Sequence, residues 1–244
     1  MILRSITKHV RDQNWFAVGL DFLIVVIGVF IGIQVANWNA QRLEDRQEAI
    51  LIQRLIVDFE RISVDAQQSL TFHEDRLAEF QTLVRALREG ELRKEDQAAV
   101  QRALFIGLSL QTSADRSGTF TELLSSGRAY LLKDQALVNE LVAYEDFLQR
   151  FNFAQEYTMH LIVDNQQAFT KGFQYSVDDV FTSRIEDIEQ TEPVTYDFDV
   201  MVANASFQEA AEQLMFMHSV ALLWRTRIID RVYRIKQMLA EASL

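Results

Sequence analysis

Residues 14–39 read NWFAVGLDFLIVVIGVFIGIQVANWN, and this stretch decides the architecture. Between Trp15 and Trp38 the chain is apolar except for Asp21, Gln34 and Asn37. As a helix, residues 15–38 would extend roughly 35 Å, enough to cross a hydrocarbon core of about 30 Å. The uninterrupted apolar run, residues 22–33, is shorter and by itself would suit a buried helix. The indole rings of Trp15 and Trp38 tip the balance, because tryptophan favours the two membrane interfaces and these two stand a bilayer apart. The expectation is a basic flank at 1–14, a transmembrane anchor at 15–38 with Trp15 and Trp38 as interface anchors, and a helical water-soluble domain at 39–244.

A cleaved signal peptide is the first rival, since Arg4, Lys8 and Arg11 precede the apolar stretch. No small-x-small cleavage site follows: Gln34 stands two before Ala36, and Trp38 two before Ala40. The basic flank, weighed against Arg42, Arg46 and Arg54, orients the N-terminus to the cytoplasm and the domain away from it. The chain then reads as a single-pass membrane protein with its domain outside the cytoplasm.

Within the span, Asp21, Gly28, Gly32 and Asn39 fall on one helical face with Val25 and Ala36, as the 3.6-residue period requires. Gly28 and Gly32 form a GxxxG spacing, which permits close helix approach. This stripe is the expected packing face toward a second copy or a partner membrane protein. Asp21 has three readings. It is an interfacial carboxylate reaching water, Lys8 or Arg11, or an ion- or proton-contacting group facing a partner helix, and a third reading makes it part of the packing against a partner.

The formal net charge is -11, and residues 39–244, with 21 basic and 33 acidic residues, carry -12; such an acidic surface repels phosphate backbones and argues against nucleic acid as a partner. One proline and eight glycines leave long stretches without a breaker, so the chain reads as mainly α. The absence of cysteine removes disulfides and thiolate chemistry.

Beyond the anchor, residues 41–88 lack proline and glycine, and apolar residues from Leu43 and Ile50 through Leu55, Phe59 and Ile62 to Leu87 recur at three- and four-residue steps. This predicts a long amphipathic helix continuing from the span, with a break near Thr71 and a stop at Gly90. A second helix is expected at 95–110. Ser117 and Gly118 open a short helix that Gly127 ends, and Asp134 caps a longer one lined by Leu137, Leu141, Tyr144 and Leu148. After Pro193, alternation of Val194, Tyr196, Phe198, Val200 and Val202 predicts an extended segment at 194–202, which either crosses the helices or pairs with residues 173–177. Ser206 and Glu209 form a capping box before a final helix running nearly to Leu244. Together these make an antiparallel bundle of about four principal helices.

Chemistry is sparse. His9, His73, His160 and His218 stand apart in sequence with no metal-binding spacing, and His73, Glu74 and Asp75 read as a solvated helix face. No phosphate-binding glycine loop, dinucleotide fingerprint or nucleophile elbow is present. The aromatic residues Tyr144, Phe147, Phe151, Phe153 and Tyr157 fit core spacing better than a pocket. The basic residues Arg225, Arg227, Arg231, Arg234 and Lys236 are expected to meet carboxylates on neighbouring helices. No catalytic, cofactor-binding or metal-binding residues are assigned.

The anchor residues Asp21, Ile27, Gly28, Asn37 and Trp38, together with the later run Glu122, Leu123, Ser125, Ser126 and Gly127, resemble a bacterial domain-of-unknown-function family of short membrane-anchored proteins. That resemblance implies an uncleaved anchor and an ordered helical domain, and supplies no activity or catalytic residues. The expected function is a membrane-anchored interaction, sensory or scaffold module without catalytic activity. The alternatives are a single-span subunit of an ion-driven or transport assembly using Asp21, and a membrane-tethered enzyme.

Overall fold

One helix, α1 (Trp15–Glu89), runs from the apolar span into the bundle without interruption. The computed structural model describes residues 15–111, 113, 115–176 and 193–243, so the basic flank at 1–14 lies outside it. The break expected near Thr71 is absent. Thr71 is exposed while Ser69 and His73 on either side are buried, so the polar interval is one more turn of an amphipathic helix.

The chain divides into two units, Met1–Ile50 and Leu51–Leu244. In the first, the apolar residues from Leu20 to Val35 are exposed, and the best window of the helix has mean hydropathy 1.9 with none of it buried. By length and composition this helix is a candidate membrane span. The Arg42 guanidinium lies 4.2 Å from the Trp38 ring centroid, a cation–π contact one turn beyond it. Leu43 and Ile50 were expected on the core face and are exposed instead. The buried core residues of α1 begin at Leu51.

The second unit is a helical bundle. After α1 come α2 (Gln97–Ile106), α3 (Gly118–Ser125), α4 (Gln135–Phe169), a hairpin of β1 (Phe173–Tyr175) and β2 (Val194–Tyr196), α5 (Phe198–Ala203) and α6 (Ala205–Ala242). Ring contacts Phe59–Tyr144 and Phe80–Phe169 show that α1 and α4 run parallel. Contacts of α6 with α1, Lys236 to Glu60 at one end and Arg88 to Glu212 at the other, set α6 antiparallel to both. The crossing through α2 and α3 returns the chain to the start of the bundle, which is what lets α4 repeat the direction of α1.

Helix ends follow local chemistry. Gly90 (φ 69) and Gly127 (φ 66) take the left-handed conformation that ends α1 and α3. Asp134 accepts from the amides of Ala136 and Leu137 and opens α4. Two expectations are corrected. The strand after Pro193 spans only Val194–Tyr196, because Asp197 accepts from the amides of Asp199 and Val200 and starts α5, which buries Met201. The final helix is capped by Asn204, whose side chain accepts from the Phe207 amide, so Ser206 lies inside the first turn. The second helix also ends earlier than expected, at Ile106.

Two apolar clusters fill the interior. One gathers Leu55, Phe59, Phe120, Leu141, Tyr144 and Val232. The other gathers Phe80, Leu104, Phe169, Phe207, Leu214 and Met217. Burying each such side chain contributes roughly 1.5–3 kcal/mol before entropy is counted.

Candidate functional site

Between the clusters lies a layer of buried polar side chains. On α1, the row Leu55, Ile62, Ser69, Arg76, Leu83 advances by sevens, as does Phe59, Ala66, His73, Phe80, Leu87. On α6 the row Ala211, His218, Arg225, Val232, Leu239 does the same. Each row is apolar at both ends and polar in the middle, and the helices bring these interruptions to one level.

The layer binds the segment joining α2 to α3. His218 Nε2 donates to the Gly107 carbonyl at 2.9 Å, and Ser69 Oγ donates to the Gln111 carbonyl at 3.2 Å. Arg225 Nη1 meets Asp115 Oδ2 at 2.7 Å and Ser113 Oγ at 2.5 Å, while Tyr144 donates to the Asp115 carbonyl at 2.6 Å. Ser113 Oγ also donates to Asp115 Oδ1. Carbonyls on the inner side of this half-buried segment need partners, and these side chains supply them from three helices.

His73 Nδ1 and His218 Nδ1 stand 3.5 Å apart. Because His218 holds a proton on Nε2 for Gly107, its neutral ring presents a bare Nδ1 toward His73. Burial lowers the His73 pKa to about 4, reinforced by the charges of Arg225 and Arg76 and opposed by the Gln111 carbonyl. Burial likewise lowers His218 to about 3, against the Gly107 carbonyl and with His73 and Arg76 adding to the depression. Both rings are neutral at physiological pH. Burial and then the nearby Asp115 and Glu145 charges push the Tyr144 phenol well above its ordinary range.

Arg76 forms the upper edge of the layer. Its Nη2 meets Glu79 Oε1 at 2.8 Å, and Arg102 Nε meets the same oxygen at 2.7 Å. Among the described residues Arg76 Nε and Nη1 and Glu79 Oε2 meet no hydrogen-bond partner. Burial raises the Glu79 pKa against the pull of Arg76 and Arg102.

The expected solvated face at His73 is therefore wrong at that residue: Glu74 and Asp75 are exposed and His73 is buried. The two histidines, apart in sequence, are neighbours in space. The seven-residue rows carry the signal that would have found them. Among the described residues no group of three histidines and carboxylates is placed to hold a metal ion. A cavity of about 20 Å³ touches His73, Gln111, Phe151, Thr158, Trp224 and Arg225, room for about one water. Tyr144, Phe147 and Phe151 belong to the core, while Phe153 and Tyr157 are exposed. On α6, Arg231 and Arg234 approach Glu140, and Lys236 reaches Glu60, so basic residues of the last helix do meet neighbouring carboxylates.

Of the proposed packing residues, Gly28, Gly32, Asn39 and Trp38 are exposed on α1, and a Cβ at either glycine would meet nothing within 4 Å. Trp15 and Asp21 lie in α1, with side chains outside the described ones.

The Glu122–Gly127 run is a helix terminus. Ser125 and Ser126 hydroxyls donate to the Glu122 carbonyl, the Arg128 amide to Leu123, and the Gly127 amide to Leu124. Leu123 enters the core, and Glu122 pairs with Arg54 of α1 at 2.7 Å.

Fold and layer together define a helical-bundle domain whose first helix begins as an apolar candidate span. Residues 21–190 match a Family of unknown function (DUF6090), well over half of the chain, and the chain belongs to that family. No curated protein and no solved structure matches it.

Proposed function

We propose that this chain is a membrane-anchored interaction or sensory module, single-pass in a bacterial inner membrane, with a cytoplasmic N-terminus and a periplasmic bundle. The observation that carries this reading is the single helix Trp15–Glu89, whose first part is exposed and apolar and whose second part supplies one wall of the bundle core. A helix shared in this way lets a partner or ligand acting on the bundle bias the span through packed side chains rather than through a loop. The acidic surface, and a polar layer in which Ser69, His218, Arg225 and Tyr144 are engaged by the carbonyls and the carboxylate of the segment they hold, favour binding over catalysis. The lipid bilayer and a membrane protein, either a second copy or another chain, are the partners.

Crosslinking in native membranes followed by affinity isolation tests the reading. A stoichiometric partner or self-complex supports it, and a strictly monomeric chain with nothing copurifying refutes it. Labelling of single cysteines at Ser5 and Gln149 with a membrane-impermeant reagent tests the topology. Gln149 should react in intact cells stripped of the outer membrane, and Ser5 only after lysis.

A further inference from the structure

The core face of α1 carries Leu55, Phe59 and Ile62, so the residues farthest from it should be polar. They are not. Between residues 53 and 64 the exposed positions are Gln53, Arg54, Val57, Glu60, Arg61 and Val64. Helical geometry puts the valines along the middle of this arc, with Gln53 and Glu60 on one side and Arg54 and Arg61 on the other. Ile50 and Leu43 continue the valine row backwards by sevens, and Leu43, Ile50, Val57 and Val64 are 58, 62, 68 and 55 % exposed. In a left-handed supercoiled pair a seven-residue repeat stays on the side facing the partner; this row supplies one aliphatic position in each heptad, and the positions three and four residues on, Glu60 and Arg61 after Val57, are charged. The same register continues into the span through Ala36 and Val29, with Gly32 beside it.

We propose that α1 pairs in parallel with α1 of a second copy of this chain along the row Leu43, Ile50, Val57 and Val64, an inference that rests on reading the chain as a membrane-anchored interaction module. Charge selects the second copy. In a parallel two-fold pair the two flanks of the row meet across the axis, so Glu60 of one copy faces the partner's Arg61, and symmetry makes the contact twice. Glu60 meets Lys236 through Oε2 while its side chain stays 60 % exposed. Copies held in one bilayer by the same span also arrive parallel and at matching height, which lowers the cost of association.

The chain contains no cysteine, so introduced cysteines report without background. In full-length chain in native membranes, Val57→Cys and Val64→Cys should each oxidise to a disulfide-linked species of twice the chain mass. Phe153→Cys, exposed on α4, should remain monomeric. Adding Val57→Glu and Val64→Glu to Ile50→Cys should abolish the Ile50→Cys crosslink while leaving helicity and Tm unchanged. Absence of dimer at both valines, or equal dimer at Phe153→Cys, overturns the proposal. Capture of a different polypeptide at the valines overturns self-pairing and leaves the interaction-module reading standing. If no position traps anything and the chain sediments as a monomer, both fall.

Discussion

Arg225 Nη1 lies 2.7 Å from Asp115 Oδ2 with both side chains buried, and the pair ties the last helix to the segment between α2 and α3. The guanidinium also reaches the Gln111 carbonyl and sits 4.6 Å from the Phe151 ring centroid. Removing one partner strands a desolvated charge, so Asp115→Ala should cost about 3–5 kcal/mol. Because the two groups are coupled, Arg225→Met with Asp115→Ala should cost about 1–3 kcal/mol less than the two single changes added. Urea denaturation of the four proteins measures this, and strictly additive costs would show that the pair is not a unit.

Asp58 links α1 to α3. Its Oδ2 accepts from Ser117 Oγ at 2.7 Å and from the Thr119 amide at 2.9 Å, beside the Ser117 cap on Phe120. Burial would raise the Asp58 pKa, but the Thr119 amide and the Ser117 and Thr119 side chains outweigh it and hold the carboxyl below its usual value. A depressed carboxylate stabilises above its unfolded pKa and loses that contribution as pH falls through the folded value. Asp58→Ala should therefore destabilise by about 1–2 kcal/mol at pH 7. Hydrogen exchange should place the loss in α3 first, and unchanged protection at Thr119 and Phe120 would contradict the assignment.

Much of this architecture is legible in the residues themselves. The absence of breakers over residues 41–88 gives the long helix, and Gly90, Ser117, Gly127 and Asp134 mark helix ends because each acts through its own backbone or the next turn. Where a choice depended on competition, the pattern misled. Alternation at 194–202 suggests a strand, but Asp197 offers two amides a better partner. Ser206 and Glu209 resemble a cap, but Asn204 stands two residues earlier with the same chemistry. The polar layer was invisible for a different reason: His73 and His218 are paired by tertiary packing, and only the interrupted seven-residue rows hint at it. Leu43 and Ile50 share the periodicity of core residues, which says nothing about whether a core lies opposite them.

Gly127 tests the turn at the end of the Glu122–Gly127 run. Its φ of 66 lies in the left-handed region, and a Cβ there would meet nothing within 4 Å. Gly127→Ala therefore isolates backbone strain from steric conflict and should cost about 1–2 kcal/mol. Thermal unfolding of this variant beside Ser126→Ala, which removes only a hydroxyl bond, separates conformation from capping. Equal stability of Gly127→Ala and the parent chain would show that the turn relaxes without penalty.

The histidine pair makes stability depend on pH with a definite sign. Both folded-state pKa values, about 4 for His73 and about 3 for His218, lie below the unfolded value of 6.5. Between those limits the unfolded chain binds more protons than the folded one, so stability rises with pH. The contribution is complete above pH 6.5 and drains away as pH falls toward 4, by an amount on the order of 3 kcal/mol for His73. Arg76 and Arg225 sharpen the effect, since a protonated ring would join two buried cations, and among the described residues no carboxylate forms an ion pair with either imidazole. Urea midpoints measured from pH 7.5 to 4.5 should fall steeply for the parent chain and much less for the His73→Gln, His218→Gln double variant, which keeps hydrogen-bonding groups but cannot titrate. Parallel curves for the two would mean that the imidazoles take no part in the acid response.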